Sequence, residues 1–344
     1  MAGKPKDTTT TTDLLGRALS DLRISVTDRC NFRCRYCMPK EVFGSAYHFL
    51  PRAEILTFEE ITRVAQSFAA LGARKLRLTG GEPLVRRDLE HLVASLAAIP
   101  GIEDIAMTTN GSLLTATKAR ALKEAGLGRI TVSLDSLDDD VFKSMNDVGF
   151  PVARVLDAIA AAQEAGLTPV KVNMVVKRGI NQASIVPMAA HFRDAGVILR
   201  FIEYMDVGNS NGWQLTDVVS AKEILDTVGS EWPLEPIAPT RPGEVARRYR
   251  FLDGKGEIGI IASVTQPFCG GCSRARLSAE GLLYTCLFGT SGHDLRTVLR
   301  DPKADIDLTA YLRSIWARRS DRYSELRTAQ TTPVPKVEMS HIGG

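Results

Sequence analysis

Three cysteines stand within eight residues, Cys30, Cys34 and Cys37, at a C-x3-C-x2-C spacing with Tyr36 just before the last. Residues 22–27, immediately upstream, alternate apolar and polar side chains, which predicts a strand. The cysteines therefore lie on a loop that leaves a strand end, where three thiolates can converge on one metal centre. Structural zinc and electron-transfer iron–sulfur clusters take four protein ligands. A set of three predicts a [4Fe–4S] cluster with one iron open to a small molecule, and the alternative is a zinc site that borrows a fourth ligand.

The size and charge of the chain exclude several classes of function. With 344 residues it can form one large domain or two moderate ones. A net charge of +3 is too small to indicate a nucleic-acid or anionic-membrane partner, and no apolar run is long enough to span a bilayer. Threonines occupy positions 8–12, where a signal peptide would be apolar. Six cysteines in such a chain indicate metal binding or catalysis, and we expect a cytoplasmic protein.

The order of the predicted elements indicates a parallel sheet flanked by helices. We expect residues 1–13, which are polar and of low complexity, to be disordered. Strands and helices then alternate over residues 14–212, where capping motifs and glycines mark the helix ends. The predicted strands are 22–27, 75–79, 104–109, 129–134, 170–176 and 198–204, and the predicted helices are 57–71, 87–99, 115–125, 152–165 and 184–195. This alternation is typical of an α/β fold, either an open doubly wound sheet or a barrel.

The alternation of apolar and polar side chains along these strands favours the barrel. Each strand has one apolar and one polar face; in the fourth, Ile130 and Val132 oppose Thr131 and Ser133. The strands of a doubly wound sheet are covered on both faces and read as nearly continuous apolar runs. We therefore predict a curved sheet, a complete or partial barrel, with helices outside and a wet lumen lined by polar side chains.

The alternation stops after about residue 212, which predicts a smaller C-terminal region over residues 213–344. Several prolines interrupt the chain there, at Pro233, Pro236, Pro239 and Pro242. Beyond them we predict a hairpin of residues 249–252 with 257–262 and helices over 293–300 and 308–318.

The remaining cysteines form a second set, Cys269, Cys272 and Cys286, at a C-x2-C-x13-C spacing. Every cysteine of the chain thus belongs to one of two groups of three. Completed by a histidine such as His293, the second group would form an ordinary zinc site. The alternative is a second cluster with its own open iron.

Cationic side chains share the polar strand faces. They come from four strands and from the segment after Cys272, at Arg23, Arg77, Lys171, Arg200, Arg274 and Arg276. Because unpaired buried charge is expensive, this set predicts a multiply anionic ligand, best matched by a triphosphate. The alternative is pairing with acids such as Asp135 and Glu203. The chain has no GxxxxGK[ST] loop and no Ser-His-Asp arrangement, so a P-loop site is excluded and hydrolysis has little support.

The segment Gly80-Gly81-Glu82-Pro83 follows the second predicted strand. Alone, two glycines often form only a tight turn. Together with the CxxxCxΦC loop around Tyr36, however, the segment resembles the radical S-adenosylmethionine (SAM) enzymes, in which a GGEP-type segment holds the SAM amino group. The resemblance implies that SAM chelates the open iron and that its reductive cleavage gives a 5′-deoxyadenosyl radical.

With both cysteine sets, this GGEP segment and the terminal Gly343-Gly344, the chain from about residue 14 onward resembles one radical SAM family, the molybdenum cofactor biosynthesis protein A family of GTP 3′,8-cyclases. The resemblance implies an incomplete (βα)6 TIM-like barrel whose open side is closed by the C-terminal region. It also implies SAM and two [4Fe–4S] clusters as cofactors and GTP as substrate.

Site residues carried over from that family fall into four groups. The first cluster would be held by Cys30, Cys34 and Cys37, and the second by Cys269, Cys272 and Cys286. SAM would contact Tyr36, Gly80, Gly81, Glu82, Ser133 and Met205. GTP would contact Arg23, Arg77, Thr108, Lys171, Arg200, Arg274, Ala275 and Arg276, of which Arg23, Arg274 and Arg276 would be catalytic.

The resemblance also implies the reaction and its partners. In the family, a lyase, the radical abstracts the ribose 3′ hydrogen of GTP and the 3′ carbon adds to guanine C8, giving 3′,8-cyclo-7,8-dihydro-GTP. We expect a flavodoxin- or ferredoxin-type electron donor, cyclic pyranopterin monophosphate synthase as the next enzyme, and a homodimer. The Gly-Gly tail is expected to enter the cavity near Arg23. Two alternatives remain, a radical SAM peptide maturase with an auxiliary cluster and a non-catalytic zinc-stabilised binding protein.

Overall fold

The computed structural model describes residues 11–241, 243–301, 306–327 and 335–343. Of the segment predicted to be disordered, residues 1–10 lie outside these ranges. Its last residues contradict the prediction, because Thr12 forms a β-bridge with Ala18 and Asp13 is buried. No helix in the described ranges has the length and apolar run that crossing a bilayer requires.

The described residues contain twelve strands, eleven α-helices and five short 3-10 helices. The strands are β1 (Asp21–Ser25), β2 (Lys75–Thr79), β3 (Asp104–Thr109), β4 (Arg129–Ser133), β5 (Val170–Val176), β6 (Val197–Glu203), β7 (Leu234–Ile237), β8 (Arg247–Phe251), β9 (Glu257–Ile261), β10 (Arg274–Leu277), β11 (Leu282–Tyr284) and β12 (His293–Asp294). The helices are α1 (Phe58–Ala70), α2 (Leu89–Ala97), α3 (Ala116–Glu124), α4 (Asp139–Asn146), α5 (Val152–Glu164), α6 (Ile185–Phe192), α7 (Ala221–Glu231), α8 (Arg296–Arg300), α9 (Leu308–Ala317), α10 (Tyr323–Leu326) and α11 (Met339–Ile342).

All strands join one sheet, in the order β12-β11-β10-β1-β2-β3-β4-β5-β6-β9-β8-β7. Strands β1 to β6 are parallel and neighbours in sequence, which is the predicted barrel half. The C-terminal region extends both edges, because β10 pairs in parallel with β1 and β9 pairs in parallel with β6. The sheet is open, so the predicted α/β fold is confirmed as a partial TIM-like barrel.

The hydrophobic core lies between the sheet and the helices. Along β5 and β6 burial alternates strictly, so that Val172 and Phe201 are fully buried while Lys171 and Arg200 on the opposite face are not. Helix α1 begins with the predicted capping box, in which the Thr57 side chain accepts from the Glu60 backbone and Glu60 accepts from Thr57. The helices thus cover the apolar strand face and leave the polar face for a lumen.

Three predicted details differ in the structure. Pro236 does not interrupt the chain, since it lies in β7, at the outer edge of the sheet where a missing N–H costs no ladder bond. Pro233 and Pro239 lie outside the strands and helices, as expected, and Pro242 lies outside the described residues. Residue His293 belongs to the short strand β12, and the helix predicted from that point begins at Arg296. The sequence does not predict strand β10, which pairs with β1 and extends the barrel sheet. The predicted hairpin of β8 and β9 is confirmed.

Candidate functional site

A cavity of about 890 Å³ lies against the polar face of the sheet. This volume is in the range of pockets that hold nucleotide-sized ligands. Most of the site residues expected from the sequence line it: Arg23, Cys30, Cys34, Tyr36, Cys37, Arg77, Gly80, Gly81, Glu82, Thr108, Ser133, Lys171, Arg200, Met205, Cys269, Cys272, Arg274, Arg276 and Cys286. The exception is Ala275, whose side chain is fully buried in the core on the opposite face of β10.

The first cysteine loop follows β1. All three of its cysteines are free and half-buried. Burial and the neighbouring Asp135 raise the pKa of the Cys34 thiol, and the other two thiols of the loop raise it further. All three cysteines line the same cavity, as a shared cluster requires.

The glycine pair after β2 packs directly on this loop. The Gly81 backbone N–H donates to the Thr27 carbonyl at 2.9 Å, and the Glu82 N–H donates to the Arg29 carbonyl at 2.9 Å. A Cβ at Gly81 would collide with the Arg29 carbonyl oxygen, so only glycine permits this approach. The segment is therefore more than a tight turn, because it fixes the edge of the cysteine loop.

Glu82 places a carboxylate beside the first cysteine loop. It accepts hydrogen bonds from the Thr109 hydroxyl and the Asn110 backbone, each at 2.7 Å, and is 1% exposed. Burial raises its pKa to about 7 despite these bonds. The Asn110 side chain in turn lies 3.9 Å from the Cys30 sulfur. A carboxylate held in this way suits recognition of an amino group.

The second cysteine set is assembled by strand pairing. Cys272 precedes β10 and Cys286 follows β11, and these two strands form an antiparallel pair that brings both cysteines to the same end. Burial alone would raise the pKa of Cys272, but the charges of Arg274 and Arg319 lower it to about 6. Burial raises the pKa of Cys286 to about 11.

The two cysteine sets lie at opposite ends of strand β1. Asp21, at the start of β1, pairs with Arg274, so Cys272 lies near the amino end of β1. Cys30 follows the carboxyl end of the same strand. Five residues of strand, at roughly 3.3 Å each, separate these ends by about 17 Å. The cavity spans that interval, so a ligand inside it can contact both sets.

A mononuclear zinc site does not fit this arrangement. His293 is exposed and does not line the cavity, so it does not complete the second set. Within the ranges the structure describes, no three His, Cys, Asp or Glu side chains are drawn together around a single ion. Two sets of three free thiols around one cavity instead fit two clusters, each with one iron left without a protein ligand.

The expected cations face the cavity with few partners. The buried Nε atoms of Arg23, Arg77 and Arg200 have no hydrogen-bond partner. Pairing with the two proposed acids does not occur: Asp135 accepts from Tyr36 and the Val175 backbone, and Glu203 accepts from Thr265 and three backbone N–H groups. The nearby Asp21 is bound to Lys75. This set of charges is therefore arranged for an external anion.

The like charges of this set also shift the pKa values of its members. Burial and then the charge of Arg200 lower the pKa of Lys171 to about 8. Burial lowers the pKa of Arg77, and the charges of Arg23, Arg129 and Arg200 lower it further. A guanidinium stays protonated even when its pKa is lowered. The repulsion between these like charges therefore destabilises the protein while the cavity is empty.

The C-terminal tail reaches the cavity wall, as expected, but contacts a different arginine. Arg276 Nη1 donates to the Gly343 carbonyl at 2.6 Å, and a Cβ at Gly343 would collide with the Thr79 hydroxyl. Arg23, the expected neighbour, is paired with Arg276 across β1 and β10. Gly344 lies outside the described residues.

Several site residues were not identified from the sequence. The sequence indicates Asp135 only as an acid that could neutralise cations, whereas in the structure it accepts a hydrogen bond from Tyr36. Its position two residues beyond Ser133, on the polar strand face, is the signal that points to the cavity. Arg17 and Arg319 contact the second cysteine set, and Arg319 is joined to Asp13 across 306 positions; the sequence carries no signal for these distant contacts.

Two family models match adjacent stretches of the chain. Residues 24–192 match the radical SAM superfamily, and residues 197–325 match Molybdenum Cofactor Synthesis C. Two curated relatives, both named GTP 3′,8-cyclase, are similar over nearly the whole chain. That of Acidothermus cellulolyticus is 55% identical over 357 residues, covering 96% of this chain and 98% of its own. That of Staphylococcus saprophyticus is 48% identical over 337 residues, covering 97% and 98%.

A solved structure has the same fold at low sequence identity. Streptococcus suis SuiB bound to S-adenosylmethionine aligns with a TM-score of 0.61 at 13% identity, covering 88% of this chain and 68% of SuiB. This likeness concerns the fold alone, and the sequence matches decide the family. The chain thus belongs to the radical SAM superfamily and, within it, to the GTP 3′,8-cyclases of molybdenum cofactor biosynthesis.

Proposed function

We propose that the cavity converts GTP to 3′,8-cyclo-7,8-dihydro-GTP, with SAM at the first cysteine set and GTP between the two sets. The observation that carries this assignment is one cavity with three free cysteines at each end and unpaired cations between them. As in the radical SAM superfamily, SAM and [4Fe–4S] clusters are the cofactors. When bound, they supply a 5′-deoxyadenosyl radical that takes a hydrogen atom from the substrate.

The first end of the cavity has the groups that SAM requires. Cys30, Cys34 and Cys37 would hold the first cluster, and the Glu82 carboxylate is placed to accept from the SAM amino group. Glycine at position 81 leaves the backbone accessible, and Ser133 and Met205 line the same cavity. Because Glu82 is fixed by Thr109 and Asn110, little reorganisation accompanies binding.

The cations between the two ends would bind the triphosphate. Arg77 is held by the Thr108 hydroxyl at 3.0 Å, with its Nε unpartnered, and Arg200 contacts Thr131 at 3.3 Å. Phosphate oxygens would relieve the repulsion among these charges and Arg23, which favours a triphosphate over a neutral ligand. Arg274 and Arg276 lie beside the second cysteine set, where Cys269, Cys272 and Cys286 would hold the cluster that faces the base.

Positioning is the main contribution of the chain to a radical reaction, because a misplaced radical attacks protein or solvent. The strands fix the cations, and Gly343 closes against Arg276 and Thr79. We further propose a flavodoxin- or ferredoxin-type electron donor, cyclic pyranopterin monophosphate synthase as the enzyme that receives the product, and a homodimer.

Two experiments test this function. Anaerobically purified protein should contain iron and acid-labile sulfide for two clusters, and zinc without iron would contradict the proposal. The reduced protein should then be mixed with SAM and each nucleoside triphosphate in turn, with 5′-deoxyadenosine and the cyclised nucleotide recorded. Only GTP should give the cyclised product; equal 5′-deoxyadenosine with ATP or CTP and no cyclised product would show that the substrate is wrong.

A further inference from the structure

Two arginines and one aspartate form a buried triad behind the second cysteine set. Asp13 Oδ2 lies 2.6 Å from Arg17 Nε and 3.1 Å from Arg319 Nη1. The three residues are 4–6% exposed, and they join the amino-terminal segment to the residues that follow α9. A second carboxylate lies beside them, because Asp321 Oδ2 is 3.3 Å from Arg319 Nε.

Each of the three guanidinium nitrogens of Arg319 also contacts a cysteine segment. It donates to the Cys272 carbonyl at 2.7 Å and to the Cys272 sulfur at 3.2 Å through two different nitrogens. Its Nε donates to the carbonyl of Thr285, the residue before Cys286, at 3.0 Å. The face of Trp316 lies against the same guanidinium, 4.6 Å from its carbon. A single side chain thus fixes the segments of two cysteines.

Arg17 makes the corresponding contact to the third cysteine. Its Nη1 donates to the Cys269 carbonyl at 3.0 Å and to the Asp321 carbonyl at 2.7 Å. The Trp316 indole N–H donates to the Arg17 carbonyl at 3.1 Å and holds the arginine in place. Between them, the two arginines reach the backbone at or next to every cysteine of the second set.

We propose that Asp13, Arg17 and Arg319 are positioning residues for the second iron–sulfur cluster, and that Arg319 raises its reduction potential through the bond to the Cys272 sulfur. Hydrogen bonds to cluster sulfurs and nearby positive charge both stabilise the reduced, more negative state. A buried salt bridge adds little to stability by itself, so three buried charges around a ligand set point to a role beyond folding. This inference rests on the proposed function, because it requires the second cluster.

The test measures the second cluster by itself. In a parent variant with Cys30, Cys34 and Cys37 changed to serine, all bound iron belongs to the second set. Four irons and sulfides in this parent test the cluster assignment, independently of the triad. Arg319→Gln in that parent should then lower the ratio of reduced to oxidised cluster about tenfold at a fixed potential, equivalent to about 59 mV for one electron. Electron paramagnetic resonance during a redox titration gives the ratio.

Two further variants keep the result interpretable. Arg319→Gln leaves the Asp13 carboxylate with one partner fewer, so the double variant Asp13→Asn with Arg319→Gln removes both charges and should fold. Its cluster should show the same negative shift of potential. Arg319→Lys keeps the positive charge but cannot make all of the guanidinium's hydrogen bonds at once, so it should give an intermediate shift of the reduction potential. Loss of iron from a variant that retains its helical circular dichroism also supports the positioning role.

The matched control is Arg318→Gln. Arg318 is the exposed neighbour in sequence and donates to the Ser314 carbonyl at 3.0 Å, away from the cysteines. It should leave the iron content and the potential unchanged. Full iron loading with the parent's potential in both Arg319→Gln and the double variant would overturn the inference, while leaving the assignment of the cluster intact.

Discussion

The Tyr36 hydroxyl donates a hydrogen bond to Oδ2 of Asp135 at 2.9 Å, and this bond joins the first cysteine loop to the end of β4. The other carboxylate oxygen of Asp135 accepts from the Val175 backbone N–H at 2.9 Å, at the end of β5. Asn181 completes the junction by donating to the carbonyls of Asp135 and Val175, each at 2.8 Å. The loop is therefore fastened to the barrel across nearly 100 residues of sequence.

Tyr36→Phe should remove this fastening without a change of volume. A hydrogen bond to a charged group contributes about 1.5–3 kcal/mol, and each kcal/mol shifts the melting temperature by roughly 2–4 °C in a chain of this order of size. We therefore expect a loss of several degrees in a thermal melt of the unloaded protein. Tyr47→Phe is the control, since this exposed tyrosine makes ring contacts with Phe43 and Phe49. Equal melting temperatures for Tyr36→Phe and the native chain would contradict the role of the bond.

Arg77→Met should change stability and ligand binding in opposite directions. Arg77 is 5% exposed, and the charges of Arg23 and Arg200 oppose it in the empty cavity. An apolar side chain of similar length removes that repulsion, so the melting temperature without nucleotide should rise. The Kd for GTP should increase at least tenfold, a loss of about 1.4 kcal/mol. Arg120→Met, on the exposed surface of α3, should affect neither quantity. A lower melting temperature with unchanged Kd would show that Arg77 is structural.

The barrel could be predicted because its strands are locally amphipathic. The alternation of Val172 and Phe201 with Lys171 and Arg200 is a property of adjacent residues, so it identifies both the core face and the cavity face. The cysteine spacings are local in the same sense. Local pattern thus gave the fold class and most of the cavity lining.

The rest depends on contacts between distant residues. Arg319 is one charged residue among several after α9, and only the folded chain shows that it reaches Cys272 and Asp13. The pairing of β10 with β1, which places Arg276 beside Arg23, is likewise non-local. Edge strands such as β7 are short and can contain a proline. The proline content of this segment therefore predicts a break in regular structure where the chain forms a strand.

GTP binding should weaken above about pH 8 through Lys171. Burial, and then Arg200, lowers the pKa of this lysine to about 8, so it loses its charge as the pH rises past that value. Bound phosphate favours the charged form, which links binding to proton uptake. The Kd measured by equilibrium dialysis should rise from pH 7 to pH 9. Lys171→Arg stays charged and should flatten this dependence; a parallel rise in both proteins would assign the effect to another group.

The same lysine has the opposite effect on the stability of the empty protein. Its folded pKa lies below that of the unfolded chain, so between about pH 8 and its ordinary value the unfolded state binds more protons. Stability therefore rises with pH in that window. Urea unfolding at pH 8 and pH 10 should show the gain, and Lys171→Met should lack it. An equal gain in both proteins would mean that Lys171 is not the titrating residue.

Helix α11 of the tail should loosen at high pH because an ion pair between His341 and Glu280 helps to hold it. His341 Nε2 lies 2.5 Å from Glu280 Oε1, and Glu280, with a smaller effect of Asp28, raises the pKa of His341 above its ordinary value although burial opposes this. A raised folded pKa gives stabilisation that is complete below the unfolded pKa and is lost as the pH rises through the folded pKa. The depressed pKa of Glu280 keeps its carboxylate charged throughout that range. Hydrogen exchange of the α11 residues 339–342, corrected for the intrinsic effect of pH, should show less protection at pH 9 than at pH 6, whereas Lys336 stays paired with Asp206. In Glu280→Gln protection should be low at both values, and a native tail equally protected at both would rule out the ion pair as its anchor.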